Sequence, residues 1–312
     1  MPSSTSSSKS RFRLGAPLIA LLLGLAALSV AVEAVTRLVI NPASAIQRRV
    51  EAELANAKQI GPSPSDANHN LLMLGNSLLL YGVDMPTLRA SLSGRWKCSR
   101  AVIESTSYLD WKYGLRRLIS EGSRPDAVAL VYSAYSFFDP NILRQDYFAH
   151  YLMRVEDLPE IVADAGFHPT TAAGMVLARF SLAYGIRSEV RKRVLSGMIP
   201  GLEGLTRRLT GTPAIAPAPN KMLGLLDHRA AELRQAAQAG GYRLILVLAP
   251  SGRLDIHQEE LARLLRERGV DVIVPADATK LPRSAYTDGV HLSLQTAREL
   301  TLNLARQFSE IL

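Results

Sequence analysis

The sequence predicts a doubly wound α/β domain that follows one membrane-spanning helix. Three observations lead to this prediction. An uncharged apolar run occupies Gly15–Val32, short apolar runs that suit buried strands recur between Leu71 and Val274, and helical patterns lie between most of them. Continuous apolar runs, rather than alternation of apolar and polar residues, are typical of parallel strands that helices cover on both faces. Strands that alternate with helices indicate an α/β fold.

The first 40 residues indicate a membrane anchor. Residues 1–14 form a polar, Ser-rich tail that contains Lys9, Arg11 and Arg13 and no acidic residue. The apolar stretch over 15–40 is long enough to cross a bilayer, which needs about 20 residues. Basic residues before such a helix favour a cytoplasmic N-terminus, so we expect a single-pass protein of the inner (cytoplasmic) membrane with its main domain on the exported, periplasmic side. A cleaved signal peptide is the alternative, because the AVEA stretch has small residues at cleavage-like spacing.

The segment after the anchor is predicted to be a connection. Glu33, near the far end of the apolar run, is expected to reach the membrane interface or to pair with Arg37. Residues 41–67 suit a helical stalk that ends in a Gly/Pro/Ser linker. The soluble domain is therefore expected to span 68–312.

The soluble domain contains five predicted strands and one interruption. The strands are Leu71–Leu74, about Lys97–Glu104, Ala127–Tyr132, Arg243–Leu248 and Val270–Val274. Between about 140 and 220 the pattern is helical and ends in a Pro/Ala-rich linker. This stretch is too long for an ordinary connection, so we interpret it as a helical insertion that covers one edge or the mouth of the sheet.

The composition restricts the classes of partner and site. The net charge of +8 fits proximity to anionic lipid or to an acidic substrate. No basic helix or aromatic–basic motif accompanies that charge, so no nucleic-acid partner is predicted. The single cysteine, Cys98, excludes an internal disulfide and a multi-cysteine metal site, and its apolar surroundings suit a small buried residue. Phosphate-loop, dinucleotide-binding and zinc-protease motifs are absent, so neither a cofactor nor a metal is predicted.

Ser77 is the first residue whose position indicates chemistry. It lies in the stretch LLMLGNSLLLYGVD, just after the first predicted strand. Ligands of open parallel sheets bind outside the carboxyl ends of the strands. A serine at the start of a helix there is exposed, and the helix N-terminus favours negative charge on an oxyanion. Gly75, two residues earlier, would let the backbone turn sharply. The alternative is that Gly-Asn-Ser forms an ordinary turn.

A serine nucleophile needs a base, and the stretch YTDGVHLS provides one. Asp288 and His291 are three residues apart, just before the last predicted helix, which Ser293 can cap. At this spacing the carboxylate can hold one ring nitrogen while the other faces Ser77. The alternative is an ordinary helix start.

The stretches LMLGNSLLLYGVD and YTDGVHLS together resemble the SGNH (GDSL-like) hydrolase family, over roughly Leu71–Leu312. In that family the nucleophile follows the first strand in Gly-Asp-Ser, and the base lies in Asp-x-x-His before the last helix. The resemblance implies a flavodoxin-like three-layer α/β/α sandwich with a parallel sheet. It also implies a catalytic triad of Ser77, Asp288 and His291. Membrane-anchored members of this kind resemble proteins of cell-surface polysaccharide systems, which modify glycans with acyl groups.

The chain departs from the family pattern at two places. Asn76 stands where the family has an aspartate. The third block, which should fall in VYSAYSFFDP, lacks the asparagine that contributes to the oxyanion hole, and the second should fall near ESTSYLD. The donors that we expect are Ser77, Ser107 and Tyr135. The alternatives that remain open are Ser105, Thr106, Ser133 and Ser136.

The sequence therefore supports two hypotheses. The first is a membrane-anchored serine esterase or O-acyltransferase that acts on acyl groups, acetyl being expected, of a cell-envelope or exported polysaccharide. Its partners would be an acylated glycan or an acyl donor and membrane-bound polysaccharide machinery. The second is a catalytically inactive binding or assembly component with the same fold. The basic cluster of the insertion could contact acidic glycan or lipid headgroups, although a charge run usually marks a solvated helix face. This cluster comprises Arg187, Arg191, Lys192, Arg193, Arg207 and Arg208.

Overall fold

The computed structural model describes residues 15–64, 68–199, 219–252 and 258–312. The predicted cytoplasmic tail with Lys9, Arg11 and Arg13 lies outside the described residues. So do Arg207, Arg208 and most of the Pro/Ala-rich linker, and the side chains of Lys192 and Arg193 are likewise not described.

The centre of the molecule is a five-stranded sheet in which every neighbouring pair is parallel. The strands are β1 (His69–Gly75), β2 (Trp96–Val102), β3 (Ala127–Tyr132), β4 (Arg243–Leu248) and β5 (Asp271–Ile273). Their spatial order is β2-β1-β3-β4-β5, which is the flavodoxin-like order of doubly wound folds. The predicted fold class is therefore confirmed. The predicted bounds of β3 and β4 match, and the other three strands differ from prediction by one to two residues at their ends.

Helices pack on both faces of the sheet and complete three layers. The first helices of the chain are α1 (Ala16–Val35), α2 (Ala45–Lys58), α3 (Ser77–Gly82), α4 (Met85–Ser91), α5 (Tyr108–Ser120) and α6 (Ala134–Phe138). The insertion contributes α7 (Gln145–Tyr151), α8 (Leu158–Ala165), α9 (Pro169–Phe180), α10 (Leu182–Gly185) and α11 (Arg187–Met198). The last three are α12 (Pro219–Gly240), α13 (Gln258–Glu267) and α14 (Leu294–Ile311).

Alternate residues of the strands divide the core into two layers. Leu72 and Leu74 of β1 face a cluster formed with α2, α5, α6, the insertion, α12 and α13. Leu71 and Met73 face the opposite cluster, formed with α3, α4 and α14. Because successive strand side chains point to opposite faces, a fully apolar strand requires cover on both sides. This explains why the strands read as continuous apolar runs.

The apolar N-terminal helix stands apart from this core. None of the 20 residues of α1 is buried, and the helix is about 30 Å long at 1.5 Å per residue. Among the described residues, one helical stretch, Ala16–Ala43, is long and apolar enough to cross a membrane, and α1 forms most of it. Glu33 near its end pairs with Arg37 at 2.6 Å, as expected.

Helix α2, which the sequence suggests is a stalk, is part of the packed domain instead. Val50, Leu54 and Ala57 are buried in the larger core cluster. Its polar side also covers the outer edge of β2. Arg49 donates to the Val102 carbonyl (3.0 Å), and the Val102 N–H donates to a carboxylate of α2 (2.9 Å). An edge strand such as β2 exposes unpaired backbone groups, and α2 provides partners for some of them. The linker-like sequence that follows α2 does not indicate this role. The packed core therefore begins well before residue 68.

The insertion is helical in its described part, with no strand between residues 140 and 199. Its helices lie against α2 and α5 on one face. Tyr147 and Tyr151 donate their hydroxyls to Gln47 of α2 (2.9 and 2.8 Å), and Arg117 of α5 donates to the His150 carbonyl (2.9 Å). The described helices thus form an outer layer over this face of the sandwich, which differs from the expected cover over an edge or the mouth of the sheet.

Candidate active site

Ser77 begins α3 at the point where the sheet order reverses. Gly75, at the end of β1, pairs with Val102 of β2 on one side and with Val131 of β3 on the other. The loops that follow all three strands therefore meet around Ser77. A topological switch point of this kind is where open parallel sheets bind ligands.

Gly75 is required by close packing and not by a sharp turn. Its φ does not lie in the left-handed region, which differs from the role expected from the sequence. A Cβ at this position would lie 2.7 Å from the Val131 carbonyl oxygen and 3.2 Å from Cβ of Leu79. Because neither the backbone of β3 nor the first turn of α3 can retreat easily, only glycine lets Ser77 stand so close to β3.

Asn76 holds the candidate nucleophile and a neighbouring loop together. Its Oδ1 accepts from the Leu78 N–H (2.9 Å) and so caps α3, while its Nδ2 donates to the Thr106 carbonyl (2.9 Å). Asn76 is 6% exposed. An aspartate could form the cap but, when ionised, could not donate to a carbonyl. The departure from the family pattern at this position therefore has a local structural use.

His291 reaches Ser77 across 214 residues of sequence. Its Nε2 lies 2.8 Å from Ser77 Oγ, and its Nδ1 lies 2.8 Å from Asp288 Oδ2. Both distances fall within the range expected for a base, its nucleophile and its orienting acid. The structure thus brings together all three residues that the sequence singled out, in the order Ser77–His291–Asp288.

Asp288 is fixed by the tight turn in which it lies. Its Oδ1 accepts from the N–H groups of Val290 (3.0 Å) and His291 (2.8 Å), and Gly289 between them has a φ of 78°. Burial by itself would raise the pKa of Asp288, but these two N–H groups and the His291 ring outweigh it and lower the pKa to about 2. The carboxylate is therefore ionised at neutral pH and can hold a proton on His291 Nδ1.

Tyr81 flanks the triad, although no sequence pattern singled it out. Its ring meets the His291 ring edge to face, with centroids 5.0 Å apart, and the residue is 53% exposed. It also lines a groove of about 600 Å³ together with Leu80, Met85, Thr287 and Leu294. The groove adjoins the triad through Tyr81, whose ring contacts the His291 ring.

The loop after β2 contains the second expected oxyanion donor, Ser107, and the structure corrects that assignment. The Ser107 N–H donates to Asp110 Oδ2 (2.8 Å), and its hydroxyl lies 2.8 Å from the Asn141 carbonyl. Ser107 is 2% exposed, so neither group is presented to a ligand. Ser105, one of the open alternatives, is exposed and has a φ of 60°, the one positive φ among the non-glycine residues that the structure describes.

Ser105 is held near the nucleophile by contacts on both sides of it. The Ile103 N–H donates to the Gly75 carbonyl (3.2 Å), and the Thr106 carbonyl accepts from Asn76. Non-glycine residues with positive φ are uncommon and often functional. The backbone at Ser105 is therefore a stronger oxyanion candidate than Ser107.

The loop after β3 presents Tyr135 on the first turn of α6. Ser133 caps this helix, since its Oγ accepts from the Ser136 N–H (3.1 Å) and lies 2.9 Å from Ser136 Oγ. The two serine hydroxyls are therefore occupied with each other. Tyr135 is partly exposed, and it remains the predicted side-chain donor of this loop.

Asp110 is a buried titratable residue beside the site that sequence reasoning missed. It is 1% exposed at the start of α5, where it forms a capping box with Ser107. Burial raises its pKa to about 7, although the N–H and hydroxyl of Ser107 favour the charged form. The signal was present in the sequence, because Ser-x-x-Asp before an apolar helix is a capping pattern.

Three carboxylates grouped around Lys112 of α5 could suggest a metal site. Glu160, Asp164 and Glu232 place oxygens close together, but Lys112 Nζ contacts all three, at 3.0, 2.6 and 2.5 Å. The ammonium group thus supplies the positive charge that a metal ion would bring.

No family model matches the chain, and no curated protein matches it either. Solved structures of low similarity do match. Axe2, an acetylxylan esterase from Geobacillus stearothermophilus, is 14% identical with a TM-score of 0.37, over 80% of this chain and 95% of that chain. TesA is 12% identical with a TM-score of 0.35, over 78% and 99%. LAE5, an alpha/beta hydrolase enzyme from the metagenome of Lake Arreo, Spain, is 11% identical with a TM-score of 0.37, over 81% and 96%.

Proposed function

We propose that this chain is a membrane-anchored serine esterase or O-acyltransferase of the SGNH type. The observation that carries the proposal is the unbroken series of contacts from Ser77 Oγ to His291 Nε2 and from His291 Nδ1 to Asp288, each 2.8 Å long. A buried structural histidine would gain nothing from a partly exposed serine on one side and an ionised carboxylate on the other. The arrangement is the one that acyl transfer through a serine requires.

The reaction follows from these contacts. His291 Nε2 accepts the Ser77 hydroxyl proton as Oγ attacks the carbonyl carbon of an ester. The resulting tetrahedral intermediate collapses, its C–O bond to the alcohol breaks, and the alcohol oxygen takes the proton from His291. Ser77 is left acylated. Water or a second hydroxyl then loses a proton to His291 and attacks the acyl carbon. The bond between that carbon and Ser77 Oγ breaks, Oγ takes the proton back from His291, and a carboxylic acid or a new ester is released.

The oxyanion of the intermediate needs hydrogen-bond donors at the switch point. We assign this role to the Ser77 backbone N–H at the start of α3, to the backbone at Ser105 and to the Tyr135 hydroxyl. Ser77 and Tyr135 are kept from the expected set, and the backbone at Ser105 takes the place of Ser107. A helix start and an exposed loop of unusual backbone geometry suit negative charge that develops during the reaction.

The substrate and setting are inferred from the anchor and the groove. If α1 spans the inner membrane with its N-terminus in the cytoplasm, the domain faces the exported, periplasmic side. An acylated glycan or acyl donor of a cell-envelope or exported polysaccharide is then within reach, and membrane-bound polysaccharide machinery is the expected partner. The groove beside Tyr81, with exposed aromatic and apolar side chains, could accept a sugar next to Ser77.

The proposal is tested first by covalent labelling. A fluorophosphonate probe should label the full-length chain, and Ser77→Ala should abolish the label. Ser133→Ala is the matched control, because Ser133 lies on the neighbouring loop and its hydroxyl is engaged with Ser136. Labelling that persists in Ser77→Ala would place the nucleophile elsewhere. Complete glycan modification in cells that carry only Ser77→Ala would leave the non-catalytic alternative standing.

The oxyanion assignment has its own test. Tyr135→Phe should lower kcat by about 10²–10³ with little change in KM, as loss of one oxyanion donor does. The assay is acetate release from small esters and acetylated oligosaccharides, and acetyl transfer between them. An unchanged kcat would remove Tyr135 from the oxyanion hole and leave the backbone donors.

A further inference from the structure

We propose that helices α9, α10 and α11 of the insertion form a platform that rests on the bilayer beside the anchor, with anionic phospholipid as its partner. Here "platform" means these three helices and the residue that follows them, Ile199. The inference rests on the proposed membrane anchoring by α1. It does not depend on the proposed esterase chemistry.

The depth of the platform is fixed by Glu33. This residue lies 17 positions after Ala16, or about 26 Å along a helix, and the hydrocarbon core is about 30 Å thick. Glu33 therefore lies near the far boundary of that core. Whatever binds its carboxylate must lie at the same depth.

The groups that bind Glu33 come from the platform. Its carboxylate accepts from Ser181 Oγ (2.8 Å) and from the N–H groups of Leu182 (2.9 Å) and Ala183 (3.0 Å), and it also pairs with Arg37. A carboxylate at the membrane boundary is costly unless it is paired and hydrogen-bonded. The domain supplies those bonds, so it is held against the anchor at the level of the interface.

The residues around this contact expose large apolar side chains. Phe180, directly before Ser181, is 70% exposed, and Leu177, one turn earlier, is 57% exposed. At the far end of α11, Met198 is 74% and Ile199 47% exposed. Exposed large apolar side chains on α9 and at the end of α11 suit contact with an apolar partner. Their position next to a membrane-spanning helix favours lipid as the occupant.

The platform is continuous with the anchor through an apolar groove. Val32 and Val35 of α1 line the groove from one side, and Val190 and Leu195 of α11 line it from the other. The groove has a volume of about 510 Å³. Helix α11 therefore runs beside the emerging end of α1, where lipid chains already surround the anchor.

The charges at the rim match a surface of anionic headgroups. Arg187 and Arg191 line the same groove and are exposed, and Arg37 of the anchor is 53% exposed at its side chain. The Arg187 guanidinium lies over the Tyr184 ring, 3.8 Å from its centroid. Tyrosine and arginine beside apolar residues are typical of the membrane–water boundary, where basic side chains attract anionic headgroups.

The test uses an environment-sensitive fluorophore on single cysteines of the full-length chain, reconstituted in nanodiscs that contain phosphatidylglycerol. The native Cys98 is buried and burial raises its thiol pKa to about 11, so it should not react. Labels on Phe180→Cys and Met198→Cys should emit at shorter wavelength, be quenched by spin-labelled lipid and resist iodide. A label on Leu302→Cys is the matched control, because Leu302 is 57% exposed on α14 and lies outside the platform.

The outcomes separate the two proposals. Iodide quenching at 180 and 198 equal to that at 302, in chains that remain in the discs, would overturn the platform alone. Failure of the chain to enter discs would overturn both the anchoring and the platform. Glu33→Ala should raise iodide quenching at 180 several-fold while the chain stays inserted, because removal of a charge makes α1 more apolar. Unchanged quenching in this variant would contradict the role of the Glu33 contact.

Discussion

Two acidic residues at the carboxyl edge of the sheet occupy opposite environments. Asp288, on the loop before α14, has a side chain that is 48% exposed. Asp110, at the start of α5, is 1% exposed. Each belongs to a pair three residues apart, Asp288 with His291 and Ser107 with Asp110. Each accepts a hydrogen bond from a backbone N–H of its partner residue.

The two carboxyl groups nevertheless differ in pKa by several units. For Asp288, burial opposes ionisation, but two N–H donors and the imidazole outweigh it and lower the pKa to about 2. For Asp110, burial dominates over the Ser107 donors, and a nearby acidic residue, Asp139, adds to it, so its pKa rises to about 7. A backbone hydrogen bond therefore does not decide the charge of a carboxyl group by itself. Access to solvent and the presence of a group that can become cationic decide it.

The difference assigns separate tasks to the two residues. An ionised Asp288 can orient His291 and stabilise the imidazolium that forms when Ser77 loses its proton. Among the residues that the structure describes, Asp110 has no cationic partner of this kind, and it closes the start of α5 behind the loop that contains Ser105. We therefore expect changes at the exposed pair to affect turnover and changes at the buried pair to affect stability and its pH dependence.

The largest effect is expected from the nucleophile and the base. Ser77→Ala and His291→Ala should each lower kcat by roughly 10⁴ or more, and the double variant should be little worse than either single variant, because the residues act as a unit. His69→Ala is the matched control. His69 also faces a carboxylate, Asp126 at 3.8 Å, but at the amino end of β1. Additive losses in the double variant would contradict the triad.

The next largest effect is expected from Asp288→Asn. It should lower kcat by up to about 10⁴, because an amide favours the wrong tautomer of His291. Its effect on the thermal midpoint should be small, since the side chain is half exposed. Asp126→Asn provides the control for removal of a carboxylate near a histidine. Because the pKa of Asp288 is about 2, the acid limb of the wild-type kcat–pH profile should not reflect its protonation. A loss of stability without a loss of kcat would reverse the assignment.

The fold was predictable because its signals are local. Each strand is a short apolar run between polar or turn residues, so β3 and β4 were predicted with their observed bounds. The role of α2 was not predictable in the same way. Its sequence resembles an amphipathic stalk, and its burial depends on the open edge of β2, which lies about 50 residues further along the chain. Contacts of this kind depend on tertiary packing that a local pattern does not contain.

The site was predictable where one residue type carries the chemistry. Ser77, Asp288 and His291 could be selected because nucleophile, base and acid each need a particular side chain. The proposed donor after β2 could not, because a backbone N–H group leaves no mark in the sequence. Ser107 was named as the expected donor of its loop, with Ser105 and Thr106 left open, yet its N–H is already bonded to Asp110, and the positive φ lies at Ser105.

Asn76→Asp adds a third acid to the comparison and should have an intermediate effect. The new carboxylate could still cap α3 but would face the Thr106 carbonyl, which now accepts from Nδ2. A buried acceptor left without its donor costs about 1–3 kcal/mol, and kcat should fall as the Ser105 loop loosens. Urea unfolding measures the first effect, and the penalty should shrink at low pH, where a protonated aspartate can donate. Asn70→Asp also removes a side-chain donor to a backbone carbonyl, that of Gly61 (3.2 Å), but at an exposed site, so it controls for loss of such a bond where water can replace it. Equal stability at neutral pH would contradict the importance of this bond.

The smallest effect on turnover, and the clearest dependence on pH, is expected from Asp110→Asn. The pKa of Asp110 is about 7 in the folded chain and 3.8 in its ordinary state. Between these values the folded chain holds a proton that the unfolded chain has released, so the free energy of unfolding falls as pH rises. The stabilising contribution is complete below about pH 4 and is lost as pH rises through 7. Asparagine does not titrate and can still accept from the Ser107 N–H.

Thermal unfolding of both proteins from pH 5 to pH 8.5 measures this contribution. The stability of the wild type relative to Asp110→Asn should fall by about 1.4 kcal/mol for each pH unit up to pH 7, and then level off. At pH 5 the amide and the protonated acid should be nearly equivalent, and kcat should change less than tenfold. Asp139→Asn should reduce the shift, because the charge of Asp139 contributes to the raised pKa of Asp110. A stability difference that does not vary with pH would show that Asp110 is ionised in the folded chain, and the contrast with Asp288 would then be lost.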